Sequence, residues 1–282
     1  MKISTEISSF RPYGENRDVL RLLKEGGFDA YDFSMFRGDR ERLIDEPHYL
    51  RGAEKLREYG ESIGISCNQT HAPFPTVRPG DEAFNAVMFD EIVRAIEVSG
   101  ALGAAVCVVH PCNDYSAEQN AELYTKFEPF ARRAGVKIGV ENMWNWEKGA
   151  PNACAAACSE HGDFLRHLSL LPDDVFVACL DIGHAEMAGL NTSAVQMIET
   201  LGCRLQAMHL HDNDKVYDEH LLPYTRSVDF APVIKALKKA GYQGDITLEA
   251  SSFLPKFPVS LYPAAAKLMA AVAENFRQKI AG

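Results

Sequence analysis

The chain is poor in the features that mark membrane, disulfide-bonded and nucleic-acid-binding proteins. No apolar run is longer than a strand, so no transmembrane helix is expected. The opening MKISTEISSF has no apolar signal region and reads directly as a strand. The seven cysteines form an odd, scattered set without a C-x-x-C pair, which fits reduced thiols in a cytoplasmic protein better than a disulfide framework. Cys154, Cys158 and His161 are spaced like one face of a helix; they resemble half a zinc site, but packing in an Ala-rich stretch explains them more simply. Cations are in deficit, with 29 Lys and Arg against 39 Asp and Glu and a formal net charge of −10. Nucleic-acid binding draws much of its affinity from Lys and Arg contacts to phosphate, and the one basic pair, Lys238-Lys239, looks like a solvated helix face. A nucleic-acid partner is therefore not expected. The absence of a phosphate-binding Gly-rich loop further favours a small, unphosphorylated substrate.

The 282 residues suit one α/β barrel, which takes about 250, and a 46% hydrophobic content supports a large core. Short β-favouring runs recur at 2–8, 28–33, 65–70, 104–109, 136–140, 176–181, 205–210 and 245–249. Helical patterns fill the gaps at 17–26, 49–63, 82–102, 117–134, 160–171, 193–202, 230–241 and 262–279. Strands spaced about 30–40 residues apart leave room for one helix and two short loops each time. With no linker-like stretch, this predicts a single (β/α)8 TIM barrel over 1–282. An open doubly wound sheet is the alternative, but no G-x-G-x-x-G follows the first strand.

Nine residues able to bind a metal stand mostly at the ends of these apolar runs: His71, His110, Glu141, Asp181, His184, His209, Asp218, His220 and Glu249. Burying an unpaired carboxylate costs several kcal/mol, so repeated polar strand ends call for pairing, a solvated cleft or a metal. On a barrel, strand ends converge on the C-terminal face, where active sites lie. Glu141 and Glu249 each close an otherwise apolar strand and read as metal ligands or acid–base groups. Asp181 reads as a ligand and His184, after the break at Gly183, as a substrate contact. His209 and His211 alternate in H-L-H-D and can face one side; His209, nearer the strand, is the better ligand. His71 and His110 suit metal ligation or a substrate hydroxyl equally. Asp218-x-His220 is either a ligand pair or a solvated loop. His48, His161 and His167 read as surface residues. A mixed carboxylate–imidazole set suits Mn²⁺, Co²⁺, Mg²⁺ or Zn²⁺.

At ENMWNWE, DIGHAEMAG, MHLHDND and TLEAS the chain resembles the xylose isomerase-like barrel superfamily, from about residue 65 to 250. This groups sugar isomerases and epimerases with the endonuclease IV class of apurinic-site enzymes. Resemblance to the ketose 3-epimerases implies one divalent metal on Glu141, Asp181, His209 and Glu249. It also implies substrate contacts from Glu147 and His184, and from Lys215 where the family pattern has arginine. Lysine keeps that charge but not the bidentate fork. Resemblance to the endonuclease branch implies up to three zinc ions, with His71, His110, His184, Asp218 and His220 as further ligands. The segment after Asp218-x-His220 lacks the glycines usual there, and the arginine-bearing DNA-binding loops have no counterpart.

The expected activity is a metal-dependent aldose–ketose isomerase or ketose epimerase, a homo-oligomer being compatible with it. Glu141 and Glu249 would move protons through a cis-enediolate of an open-chain sugar, while His71, His110, Glu147, His184, His211 and Lys215 bind its hydroxyls. Trp144, Trp146 and Phe74 would form an apolar wall over the substrate. The alternatives are a multi-zinc phosphodiesterase of the endonuclease IV kind, an inosose-type dehydratase, and a binding protein that has lost its chemistry.

Overall fold

The computed structural model describes all 282 residues, Met1–Gly282. Eight parallel strands alternate with helices. They are β1 (Ile3–Thr5), β2 (Ala30–Ser34), β3 (Ser66–His71), β4 (Val106–Val109), β5 (Lys137–Glu141), β6 (Phe176–Asp181), β7 (Leu205–His209) and β8 (Ile246–Leu248). The helices are α1 (Asn16–Gly26), α2 (Tyr49–Ile63), α3 (Glu82–Leu102), α4 (Ala117–Thr125), α5 (Glu128–Ala134), α6 (His161–Ser169), α7 (Ile182–Ala185), α8 (Ala194–Leu201), α9 (Phe230–Ala240) and α10 (Tyr262–Ala281). None is long and apolar enough to cross a membrane.

The ladders form a six-stranded sheet, β2 to β7 in order, and a separate β1–β8 pair. Single bridges, Glu6 to Asp32 and Leu210 to Leu248, stand at the two seams between them. The sequence predicts eight comparable strands; β1 and β8 are only three residues long and too short for continuous ladders with their outer neighbours.

Side chains alternate across each strand, and that alternation positions everything that follows. Cys107, Val109, Ile138, Val140, Ala178, Leu180 and Met208 pack outward under the helices in the main core. Val106, Val108, Val177, Cys179 and Ala207 form a separate small cluster inside. Gly139 belongs to the same interior, where an added Cβ would lie 2.9 Å from Val106 Cγ1. One step further along the same faces stand His110, Glu141, Asp181 and His209.

Local chemistry sets the helix ends. Asp81 caps α3 by accepting from Phe84 N, and Ser116 with Gln119 forms a capping box on α4. Gly103, at φ 79°, closes α3 in a left-handed turn that a side chain would strain. The sequence predicts one helix over 117–134, whereas the chain breaks between α4 and α5. Pro129, near the start of α5, lacks the N–H that a continuous helix needs. Two further corrections concern packing. His167 is buried, held between Asp163 O at 2.9 Å and Asn120 Nδ2 at 3.3 Å, and is not a surface residue. Cys154 and Cys158 lie in bridge and turn conformations, Cys158 at φ 61°, so they share no helix face.

Candidate metal centre

The polar strand ends meet in one buried cluster. Glu141 is its hub. Its Oε1 lies 2.7 Å from His209 Nδ1, and its Oε2 lies 2.9 Å from His110 Nε2 and 3.4 Å from His71 Nε2. His209 Nδ1 is also 3.3 Å from Glu249 Oε2. Ligand atoms of Glu141, Asp181, His209 and Glu249 all fall within 4.8 Å of one another, and so do those of His71, His110 and Glu141. A third group under the same criterion joins His184, His211, Asp218 and His220. There His220 Nε2 and His184 Nε2 lie 2.9 and 3.2 Å from Asp218 Oδ2, while His211 Nε2 lies 3.6 Å from Asp218 Oδ1 and 3.0 Å from Asp181 Oδ1.

The far side of each ring tells what the near side is for. His71 Nδ1 lies 2.9 Å from Ala72 O, His184 Nδ1 2.9 Å from Asn142 O, and His220 Nδ1 3.0 Å from Glu249 O. A carbonyl can only accept, so each of these nitrogens carries a proton and leaves Nε2 as the atom aimed into the cluster, free for a cation once any proton there is expelled. Metal-binding histidines are held in this way. The Nε2 atoms of His71 and His110 face each other at 3.0 Å, which requires a proton or a cation between them. Glu141 Oε2, Asp181 Oδ2, Asp218 Oδ1 and both His211 nitrogens are buried without a hydrogen-bond partner. Unpartnered oxygens on Glu141, Asp181 and Asp218, each within a group of clustered ligand atoms, fit divalent cations.

Charge is crowded accordingly. Burial works against every ionised group here, yet the imidazoles of His209 and His110 hold Glu141 well below the usual carboxylate range. Burial likewise opposes Asp181, but His184 and His211 bring it down to about 2. Burial raises Glu249 and lowers His110. Against burial, Asp218 lifts His220 to about 10. Asp181 and Asp218 lift His184 well above its ordinary value.

Local structure explains the placement. Asp181 ends β6 and caps the one-turn helix α7, its Oδ1 accepting from His184 N at 2.8 Å, which leaves Oδ2 for the cluster. Asn142 ties β5 to β6 through Asp181 N at 2.7 Å and Asp181 O at 2.9 Å. Asp212 folds the loop after β7 by accepting from Arg226 N and Val228 N, at 2.8 and 3.0 Å. That loop carries Asp218 and His220 inward as ligand candidates.

The structure gathers His71, His110, Glu141, Asp181, His184, His209, His211, Asp218, His220 and Glu249. It does not gather Glu147, which is exposed after β5. Lys215 is turned to Glu186, 3.3 Å away. Phe74 stacks on His110 with centroids 4.7 Å apart and remains 41% exposed, as a wall residue would. Trp144 instead donates its Nε1 to Asp218 Oδ2 at 3.2 Å, and Trp146 stacks on Tyr217. Sequence reasoning missed Asp32, whose carboxylate lies 3.4 Å from His209 Nε2. Its motif, AYDFS, reads as ordinary strand alternation.

The family model described as xylose isomerase-like TIM barrel matches residues 20–272. The chain belongs to this family. A relative, an uncharacterized protein of Methanocaldococcus jannaschii, is 30% identical over 243 residues, covering 82% of this chain and 77% of its own. Among solved structures, a D-tagatose 3-epimerase-like protein superposes with a TM-score of 0.73 at 22% identity, over 99% of this chain and 100% of its own. The IOLI protein with a bound zinc atom gives 0.74 at 17% identity, over 99% and 98%. At these identities the likeness establishes the TIM-barrel fold of the family.

Proposed function

We propose that this protein is a divalent-metal-dependent sugar isomerase or epimerase, built as one (β/α)8 domain over 1–282. One observation carries the reading. Glu141, Asp181, His209 and Glu249 close on a common centre at the strand ends, all buried, with two of their oxygens unpartnered. Fold likeness to proteins described as 3-epimerases supports a sugar as the substrate.

A divalent ion (Mn, Co, Mg or Zn) on those four residues would supply Lewis acidity to the carbonyl of an open-chain sugar and lower the cost of an enediolate. The two glutamates differ in the way proton transfer needs. Burial pushes the Glu249 carboxyl up toward working pH, so it takes the proton next to the carbonyl. Glu141, pinned by three imidazoles, stays ionised as the hub. Isomerisation returns the proton from Glu249 to the neighbouring carbon. Epimerisation would need a second proton on the same carbon from the opposite face: Glu141 would take it up from solvent and pass it on, while Glu249 gives the one it removed back to solvent. His71, His110, His184 and His211 line the centre for substrate hydroxyls, and Phe74 shields it from water.

A second reading rests on the same geometry. The groups His71–His110–Glu141 and Glu141–Asp181–His209–Glu249 have Glu141 in common, and His184, Asp218 and His220 stand beside them. This is the set for up to three zinc ions in a phosphodiesterase of the endonuclease IV kind. The rim argues for the sugar. Arg37 pairs with Glu91, Arg42 with Asp45 and Glu91, Lys215 with Glu186, and Arg226 with Glu219, while Arg78, in the pocket beside Phe74 and His110, lies over the Phe84 ring without a carboxylate partner. Cations engaged in this way are poorly placed to meet phosphates.

The test is metal content on untagged, chelator-free protein, followed by ketose turnover. About one equivalent of metal with epimer or isomer formation supports the first reading. Two or three equivalents of zinc with abasic-site cleavage and no sugar turnover transfer it to the second. Glu249→Gln should fold normally and lose roughly 10²–10⁴-fold in kcat; unchanged turnover removes Glu249 from the mechanism.

A further inference from the structure

Resting on the metal-centre reading above, we infer that Asp32 is the positioning residue of the centre: it holds the proton of His209 on Nε2 and so presents Nδ1 to the metal. His209 Nδ1 is the nitrogen that faces Glu141 and Glu249, at 2.7 and 3.3 Å. Its Nε2 points the other way, into the barrel, 3.4 Å from Asp32 Oδ2. Unlike His71, His184 and His220, His209 has no backbone carbonyl behind it. Its Nε2 and Asp32 Oδ1 are both buried and without a hydrogen-bond partner. With Nδ1 committed to a cation, the ring proton must reside on Nε2, and a small rotation of either group completes the bond. Cys179 also adjoins His209, but a cysteine sulfur is a weak hydrogen-bond acceptor beside a carboxylate oxygen.

Asp32 is installed for this purpose by a chain of donors. Ser4 Oγ donates to Thr247 Oγ1 at 2.8 Å, and Thr247 Oγ1 donates to Gln69 Oε1 at 3.2 Å. Gln69 Nε2 then donates to Asp32 Oδ2 at 2.9 Å. Asn68 Nδ2 donates to Thr247 as well, at 3.1 Å. Every link runs toward Asp32, so the chain reinforces a negative charge at its end. All these groups are buried in a barrel interior where apolar side chains are the rule. The backbone is bent to make the contact. Tyr31 pairs with Cys67 but Asp32 pairs with Gln69, leaving Asn68 as an unmatched bulge residue in β3. Bulges beside functional sites re-aim side chains, and this one brings Gln69 alongside Asp32. A fully buried carboxylate at the end of a donor chain, facing an imidazole that faces the ligand set, forms a carboxylate–histidine–metal arrangement.

The experiment is zinc affinity by chelator competition for the wild type, Asp32→Asn and Asp32→Leu, with melting of the metal-free proteins in parallel. Loss of such a partner typically weakens metal binding by 10–100-fold, and that range is expected for both variants. A general structural role would lower metal-free melting and leave zinc affinity intact. Nitrogen-15 spectra of zinc-loaded wild type give a readout that needs no variant: His209 should be protonated on Nε2 and coordinated through Nδ1. Variant affinities within about twofold of a zinc-binding wild type, or coordination through Nε2, overturn the inference alone. A wild type that takes up no metal overturns the metal-centre reading and this inference together.

Discussion

At the scale of single residues, the unusual group outside the ligand set is Glu6, at the end of β1. It is buried and accepts from Ser8 N, Ser8 Oγ and Ser34 Oγ, and burial pushes its carboxyl from an ordinary 4.5 up to about 7. Below pH 4.5 the group is neutral in both folded and unfolded chains and costs nothing. Above about 7 it is ionised in both, and the folded chain bears the desolvation. Stability is therefore lost as pH rises through that window, by roughly 3 kcal/mol for a shift of this size. Glu6→Gln removes the charge while its amide can serve the same serines. Denaturant unfolding between pH 5 and 8 should show the variant gaining on the wild type as pH rises; parallel curves would refute the assignment. Glu6 and Asp32 share a lesson about reading sequences. Residues at the ends of apolar runs, such as Glu141 in KIGVE, are visible because packing cannot explain them. A carboxylate inside AYDFS or STEIS alternates with Tyr31 and Phe33, or with Thr5 and Ile7, and passes for the solvent face of a strand, though both here are buried.

At the scale of elements, the tightest fit is between α7 and the segment following β7. A Cβ on Gly183 would fall 2.0 Å from His211 Cε1 and within 2.5 Å of both ring nitrogens. His211 is wholly buried and stacked on His220 with centroids 4.0 Å apart, so the ring has no room to retreat. Gly183→Ala should therefore cost about 1–3 kcal/mol in urea unfolding, as overpacked cores do. It should also displace His211 from Asp181 and Asp218, which a nuclear magnetic resonance comparison of the histidine rings would register; an unperturbed His211 would contradict the packing argument. The glycine in D-I-G-H is legible in sequence as a break, but its partner is not, because His211 lies 28 positions on and reaches α7 only through the fold. The same limit explains Glu147 and Lys215. Their places were carried over by offset from a family pattern, and an offset does not fix a loop's path. Glu147 ends in solvent and Lys215 on Glu186. Strand order and strand ends were legible, since period-two alternation and polar termini are local signals. The bulges at Asn68 and between Ala178 and Cys179 were not, since register belongs to pairs of strands.

At the scale of the whole molecule, the buried cluster stores protons where cations belong. Burial disfavours charged imidazoles, but the surrounding carboxylates outweigh it, holding His220 at about 10 and His184 and His209 well above their ordinary value. At neutral pH the metal-free protein thus carries imidazolium charge that balances Glu141, Asp181 and Asp218. A divalent ion needs the same nitrogen lone pairs, so its binding must expel those protons. Two consequences are measurable in one calorimetric series. Zinc binding at pH 7 should release protons, giving an apparent enthalpy that depends on the ionisation heat of the buffer. Apparent affinity should also tighten by about tenfold per pH unit for each proton released, until the imidazole in question has lost its proton in the metal-free protein. The number of protons then reports which compartments fill. Release confined to one proton points to the four-residue group around His209, whereas two or three mean that the group of His71 and His110, or that of His184, His211, Asp218 and His220, takes an ion as well. Binding with no buffer dependence would mean that the imidazoles are neutral beforehand, and that the carboxylates of this acidic protein are balanced in some other way.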